Sequence, residues 1–159
     1  MTTDLFLAID GIPGESADAG HRDEIDVLSW GWDESAEAGG GYGGGAGRVG
    51  RVSLQDFHFT HHVDRSSPLL LAACATGRHI RKAVLTVRRP GDDPIEYLVV
   101  TLEELTVGAV ALAGSQEEDR PTESVTLRFA RITVEYRPQL PDGSLGAAVV
   151  FEADRSRNV

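Results

Sequence analysis

Three histidines, His58, His61 and His62, come nearest to forming a chemical cluster in this chain. Imidazoles at such spacing hold zinc or copper when they converge and when thiolates or carboxylates complete the set. These three lie in or just after the alternating stretch Val52-Ser53-Leu54-Gln55-Asp56-Phe57-His58-Phe59. In a strand His58 and His62 share one face while His61 takes the other, so they do not converge without a distortion. Only Asp56 and Asp64 stand near enough to help, and solvated or interface histidines are the expectation. Gly45-Ala46-Gly47-Arg48-Val49-Gly50 has the spacing of a dinucleotide-binding turn. That chemistry needs a buried strand before the glycines and a helix after them, whereas here another strand follows. A serine nucleophile on a Gly-x-Ser-x-Gly elbow is missing. Glu103-Glu104 and Glu117-Glu118-Asp119 read as solvated charges rather than an acid/base pair. The sequence therefore predicts no catalytic residue, no cofactor and no metal, and a protein that is not an enzyme.

Composition narrows the partners. With 15 Lys+Arg against 25 Asp+Glu, the formal charge of the 159 residues is -10. Such a surface repels phosphate backbones, so neither nucleic acid nor membrane insertion is expected. One domain spanning 1–159 accounts for the length, and a chain of that size folds without a disulfide or metal. The single cysteine, Cys74, lies in the apolar run Leu69 to Ala75 and reads as a small buried hydrophobe. A free thiol and an N-terminus without a basic, apolar leader predict folding in the cytoplasm. Any release would then use a route other than a cleaved signal peptide.

The elements that must position these residues are mostly strands. Leu5 to Ile9 is a short apolar strand closed by the turn Asp10-Gly11-Ile12-Pro13-Gly14. Ile25 to Asp33 reads as a strand placing Leu28, Trp30 and Trp32 on one face, with Val27, Ser29 and Gly31 opposite. The glycine-rich stretch 36–51 is predicted to be a flexible arm, and 153–159 a polar tail. A helix is predicted over Ser67 to Ala75, with Ser66 or Ser67 as its cap, Pro68 in its first turn and Gly77 as its stop. Being short and apolar on most faces, it should plug a core. Strands resume over Ile80 to Arg89, Glu96 to Val110, Val125 to Tyr136 and Ala148 to Glu152.

Two of the later strands change phase. Val125, Leu127 and Phe129 share a face, but Ala130, Ile132, Val134 and Tyr136 occupy the other. Leu98, Val100 and Leu102 likewise give way to Leu105, Val107 and Ala109. Such a strand is bulged, or is buried on both sides by a second contact. Closed barrels and symmetric rings both supply that burial.

The order of motifs resembles the haemolysin-coregulated protein (Hcp) family of type VI secretion. Asp4-Leu5-Phe6-Leu7-Ala8-Ile9-Asp10-Gly11-Ile12-Pro13-Gly14-Glu15-Ser16 is similar to that family's first strand and turn. His21-Arg22-Asp23-Glu24-Ile25-Asp26-Val27-Leu28-Ser29-Trp30-Gly31-Trp32 resembles its next signature. Asp64 to Leu70, with Cys74, Gly77 and His79, resembles its helix, and Glu118 to Val125 with Ile132 to Tyr136 its later strands.

The resemblance implies a mostly β fold: a compact β-barrel of two packed antiparallel sheets with one short α-helix, closing into hexameric rings. Rings would stack into a tube expelled by a contracting sheath, with sheath, spike and effector proteins as partners. On this reading the smooth face at Ser29 and Gly31 would line the lumen and hold cargo. Gly41, Tyr42, Gly43, Gly44 and Arg48 would reach the next ring, and Phe129, Ile132, Val134 and Tyr136 would form the subunit interface. A tube protein of a phage-tail-like contractile particle, and a monomeric ligand-binding β-barrel, are the alternatives.

Overall fold

The structure is a computed structural model and describes residues 3–36 and 52–155. The strands are β1 (Asp4–Ile9), β2 (Ile25–Gly31), β3 (Glu34–Ala36), β4 (Val52–Leu54) and β5 (Phe57–His62). After the helix α1 (Ser66–Thr76) come β6 (Ile80–Arg89), β7 (Ile95–Ala113), β8 (Thr122–Tyr136) and β9 (Val149–Asp154). Six of them run in the order β5-β2-β1-β6-β7-β8, and antiparallel pairing of β5 with β8 closes the barrel. The expected β-barrel with one helix is present, built from one closed sheet rather than two packed ones, with β3 and β4 forming a separate antiparallel pair. The alternating stretch read as one strand from Val52 breaks at Gln55 and Asp56 into β4 and β5. The five arm residues, Gly41, Tyr42, Gly43, Gly44 and Arg48, lie outside the described residues.

β8 serves two partners on one side. Thr122 to Leu127 pair with β5, and Arg131 to Tyr136 pair with β9, while β7 pairs along its other side. β9 therefore extends the sheet beyond the closed barrel. Ala153 and Asp154, expected in a polar tail, belong to it, and Ala153 is buried opposite Ile132.

The phase changes are bends in the sheet. In β7 Val100 and Leu102 are buried, and then Leu105 and Val107. Between them Glu104 takes a left-handed conformation, φ 54°. A non-glycine residue there costs roughly 1 kcal/mol or more, and persists because the packing on both sides demands the turn of phase. β8 switches at the same level, from Phe129 to Ile132, both buried in the one core. The bend keeps the long hairpin's apolar residues facing a barrel that curves away beneath it.

β2 contains a second irregularity. Its register against β5 shifts between Val27 and Ser29. Val27 is consequently buried and Leu28 exposed, the reverse of the expected grouping of Leu28 with the tryptophans. The helix is one residue longer at each end than predicted. Asp64, rather than Ser66 or Ser67, supplies the capping acceptor: its carboxylate receives the Ser66 N–H at 2.8 Å, while Ser67 Oγ receives the Asp64 N–H at 3.1 Å. Gly77 stops it as predicted, with φ 64° and its N–H on the Ala73 carbonyl. Ser66, Ser67, Leu70 and Ala73 are buried, and Leu69 and Leu71 are exposed, so one side of the helix meets the core. It covers the barrel rather than filling it. The interior is filled by strand side chains, with Phe57, Phe59, Leu85, Leu102 and Leu127 each almost wholly buried.

Candidate functional site

The face carrying Ser29 and Gly31 is built by register. Ser29 opposes Thr60, which opposes Ser124; Gly31 opposes His58, which opposes Thr126. Three strands thus bring small and hydroxyl-bearing side chains into two adjacent rows on the outer surface. Ser29 Oγ and Thr60 Oγ1 lie 2.6 Å apart, and His58 Nδ1 is 3.1 Å from Thr126 Oγ1. A Cβ built on Gly31 meets nothing within 4 Å, so the surface is open there. The smooth character read around Ser29 and Gly31 is present, and it extends over Thr60, Ser124 and Thr126. Those three were missed because their place depends on pairing with β8, which no local pattern announces.

The tryptophans back this face from inside. Trp30 stacks on Phe57 with centroids 5.9 Å apart, and Trp32 meets both Phe129 and Phe151 at 6.3 Å. The Trp32 indole N–H donates to the Gln55 carbonyl at 2.9 Å, which satisfies its polar end while the ring packs.

The four residues expected at a subunit interface divide. Phe129 and Ile132 are buried in this chain's own core, Val134 is half-buried, and Tyr136 is exposed. β9 supplies what the sequence reading left out. Tyr136 opposes Val149 and Val134 opposes Phe151, so these cross-strand pairs prolong the core face past the barrel. Val149 is 68% exposed and Phe151 41%, an apolar shelf on the outer strand of the sheet.

Of the three clustered histidines, expected to be solvated or at an interface, His58 is exposed and His62 half-buried. His61 has no exposed side-chain surface and pairs with the equally buried Glu123, Nε2 to Oε1 at 2.6 Å. The period-two reading gave its face correctly, opposite His58 and His62. Its partner was not visible, because Glu123 is 62 residues away and reaches it through the β5–β8 register. Among the described residues no three His, Cys, Asp or Glu side chains are grouped to hold a metal ion. Near this pair Asp26 has its carboxyl pushed up, by burial first and then by the charges of Asp64 and Asp18, against a bond from Ser16 and the charge of Arg120.

This chain belongs to the Hcp family of the type VI secretion system. The family pattern described as "Type VI secretion system effector, Hcp" matches residues 6–136. "Protein hcp1" of Pseudomonas aeruginosa is 46% identical over 145 residues, covering 91% of this chain and 89% of that protein. The crystal structure of Hcp1 from Salmonella typhimurium is similar with a TM-score of 0.81 at 36% identity, covering 100% of this chain and 99% of that one. A type VI secretion system effector from Yersinia pestis gives 0.79 at 35% identity, over 95% and 99% of the two chains. Among the described residues no helix is long and apolar enough to cross a membrane.

Proposed function

We propose that this protein is a structural subunit of the type VI secretion tube, with no catalytic role. Copies close into a hexameric ring, rings stack into the tube that the machine expels, and effector proteins ride in the lumen. The carrying observation is the apolar shelf of Tyr136, Val149 and Phe151, left open at the end of the sheet in a member of this family. A neighbouring copy is the natural cover for such a surface, and a heterologous contact of that kind generates a ring when its rotation closes. In that arrangement the two rows centred on Ser29 and Gly31 face the lumen. Small hydroxyl-bearing side chains there leave room for cargo and offer it donors and acceptors. The arm residues Gly41, Tyr42, Gly43, Gly44 and Arg48 contact the next ring, and the protein leaves the cell with the tube.

Native mass spectrometry tests the ring. A dominant species of six subunits supports it, and a monomer at high micromolar concentration overturns intrinsic ring closure. Gly31→Gln then tests the lumen. The variant should keep the native ring mass, because the site is open, and should lose co-purifying effector. Unchanged cargo retention with an intact ring removes this face from cargo binding.

A further inference from the structure

The connection between β1 and β2 is tied to the sheet by a stack of three planar groups. The Phe6 ring lies 4.4 Å from the His21 ring and 6° from parallel to it, and the Arg88 guanidinium lies over Phe6, 4.8 Å from its centroid. Arg88, on β6, donates to Asp4 on β1 and to Asp18 in the connection. His21, only 8% exposed, stands between two carboxylates: Nδ1 is 2.9 Å from Glu24 in its own segment, and Nε2 is 2.5 Å from Glu96 on β7.

This geometry makes a specific demand on protons. Both ring nitrogens face carboxylate oxygens, and only the imidazolium has an N–H for each. The neutral ring keeps one N–H, so its other nitrogen would present a lone pair to an anion. One carboxylate must then withdraw. Glu24 is 20% exposed and follows His21 by three residues, whereas Glu96 is 46% exposed and on another strand. Glu96 is the free one to leave.

We propose that His21 is a protonation-dependent latch: as imidazolium it fastens the β1–β2 connection to β7, and as the neutral ring it lets Glu96 go. The groups facing it are Glu24 and Asp18 from the connection and Glu96 from β7, with Arg88 and Asp4 beyond Phe6. Burial lowers the pKa of His21, but the bonds and charges of Glu96 and Glu24 outweigh it, and the net displacement is upward. A folded-state value raised above the unfolded one gives stabilisation that is complete below the unfolded value, near pH 6.5, and lost as pH rises through the folded one. The latch is closed on the acid side and opens on the alkaline side.

The connection has further attachments, which limit how far it moves. Arg65 at the start of α1 donates from Nε to the Gly14 carbonyl and pairs with Asp23 at 2.9 Å. The Arg65 backbone N–H donates to Glu15 at 2.8 Å and Arg88 keeps its hold on Asp18, so release of Glu96 loosens the stretch around His21 without detaching the rest of the connection.

Mass-spectrometric hydrogen exchange on the intact protein reads both halves of the proposal. Exchange of the imidazole C2 hydrogen gives the His21 pKa, and amide protection of the peptide 12–24 reports the latch. On going from about pH 6 to about pH 9, protection should fall by about tenfold for each unit by which the His21 pKa exceeds the ordinary value. Glu96→Gln, at a half-exposed position that endangers no core contact, should lower the His21 pKa and leave the peptide with low, pH-independent protection. A His21 pKa unmoved by E96Q, or a native-to-variant protection ratio that is the same at both pH values, overturns the latch.

Discussion

The buried His61–Glu123 pair offers a sharp test of how the barrel is held together. The N···O separation is 2.6 Å, both side chains are fully buried, and the residues are directly opposed across β5 and β8. Each keeps one atom without a bond, His61 Nδ1 and Glu123 Oε2, and the Asp64 carboxylate is 3.9 Å from that nitrogen, beyond hydrogen-bonding distance. The pair is half satisfied, so its net contribution beyond an apolar filling of the same space is small or negative. Removing one partner is a different matter, because it strands the other in the core at a cost of about 3–5 kcal/mol. His61→Leu leaves Glu123 with neither oxygen bonded and should fall at the upper end of that range. Glu123→Leu leaves an imidazole, and should fall at the lower end. If the effects were independent, the double variant would lose roughly 6–10 kcal/mol, enough to unfold most domains. We expect it instead within about 1 kcal/mol of the native protein, because both buried polar groups are gone. Urea unfolding at one fixed protein concentration measures all four corners of the cycle. Additive losses, or single variants that each cost under about 1 kcal/mol, would refute the reasoning.

Two further outcomes follow from other parts of the molecule. A Cβ on Gly14 would sit 2.5 Å from the Glu24 carbonyl oxygen, whereas one on Gly31 meets open space. Gly14→Ala should therefore cost about 1–3 kcal/mol by displacing the start of β2 and Gly31→Ala less than about 0.5, which thermal unfolding can compare. Arg88 donates to Asp18 and holds its carboxyl below the ordinary value, against the opposing effect of desolvation. That contribution is present above the unfolded pKa of Asp18 and is lost as pH falls through the folded one, so Asp18→Asn should flatten the acid limb of stability below about pH 4.

What could be read from sequence was whatever depends on near neighbours. Gly77 announced the helix end, because a left-handed stop needs a residue without a Cβ. Alternation set His61 opposite His58 and His62, as found, but did not show that its face, shared with Phe57 and Phe59, is the buried one. The phase change across Glu103-Glu104 was visible too, but not its cause: a bulge and a second contact leave the same trace in a hydrophobic pattern. Leu28 was misplaced because the shift at Val27 and Ser29 breaks a period that nothing local interrupts. The small-residue face was legible only at Ser29 and Gly31, since its other half arrives on β5 and β8. Phe129 and Ile132 looked available to a partner because a bend that returns both to one core cannot be told from two opposed surfaces.

The double service of β8 bears on how the chain finds its fold. Hairpin pairing of β7 with β8 joins segments close in sequence, so it can form early. The β5–β8 seam instead joins residues such as His61 and Glu123, 62 positions apart, and must close a long loop before any contact compensates for the lost chain entropy. Closing of the seam is therefore expected to come late. The water around that histidine and carboxylate is stripped in the same event, and no half-closed barrel offers them a comfortable place. Such a seam disfavours intermediates that are nearly shut. The subunit should thus mature in one cooperative step, and only then present a finished wall on which β9 can lie.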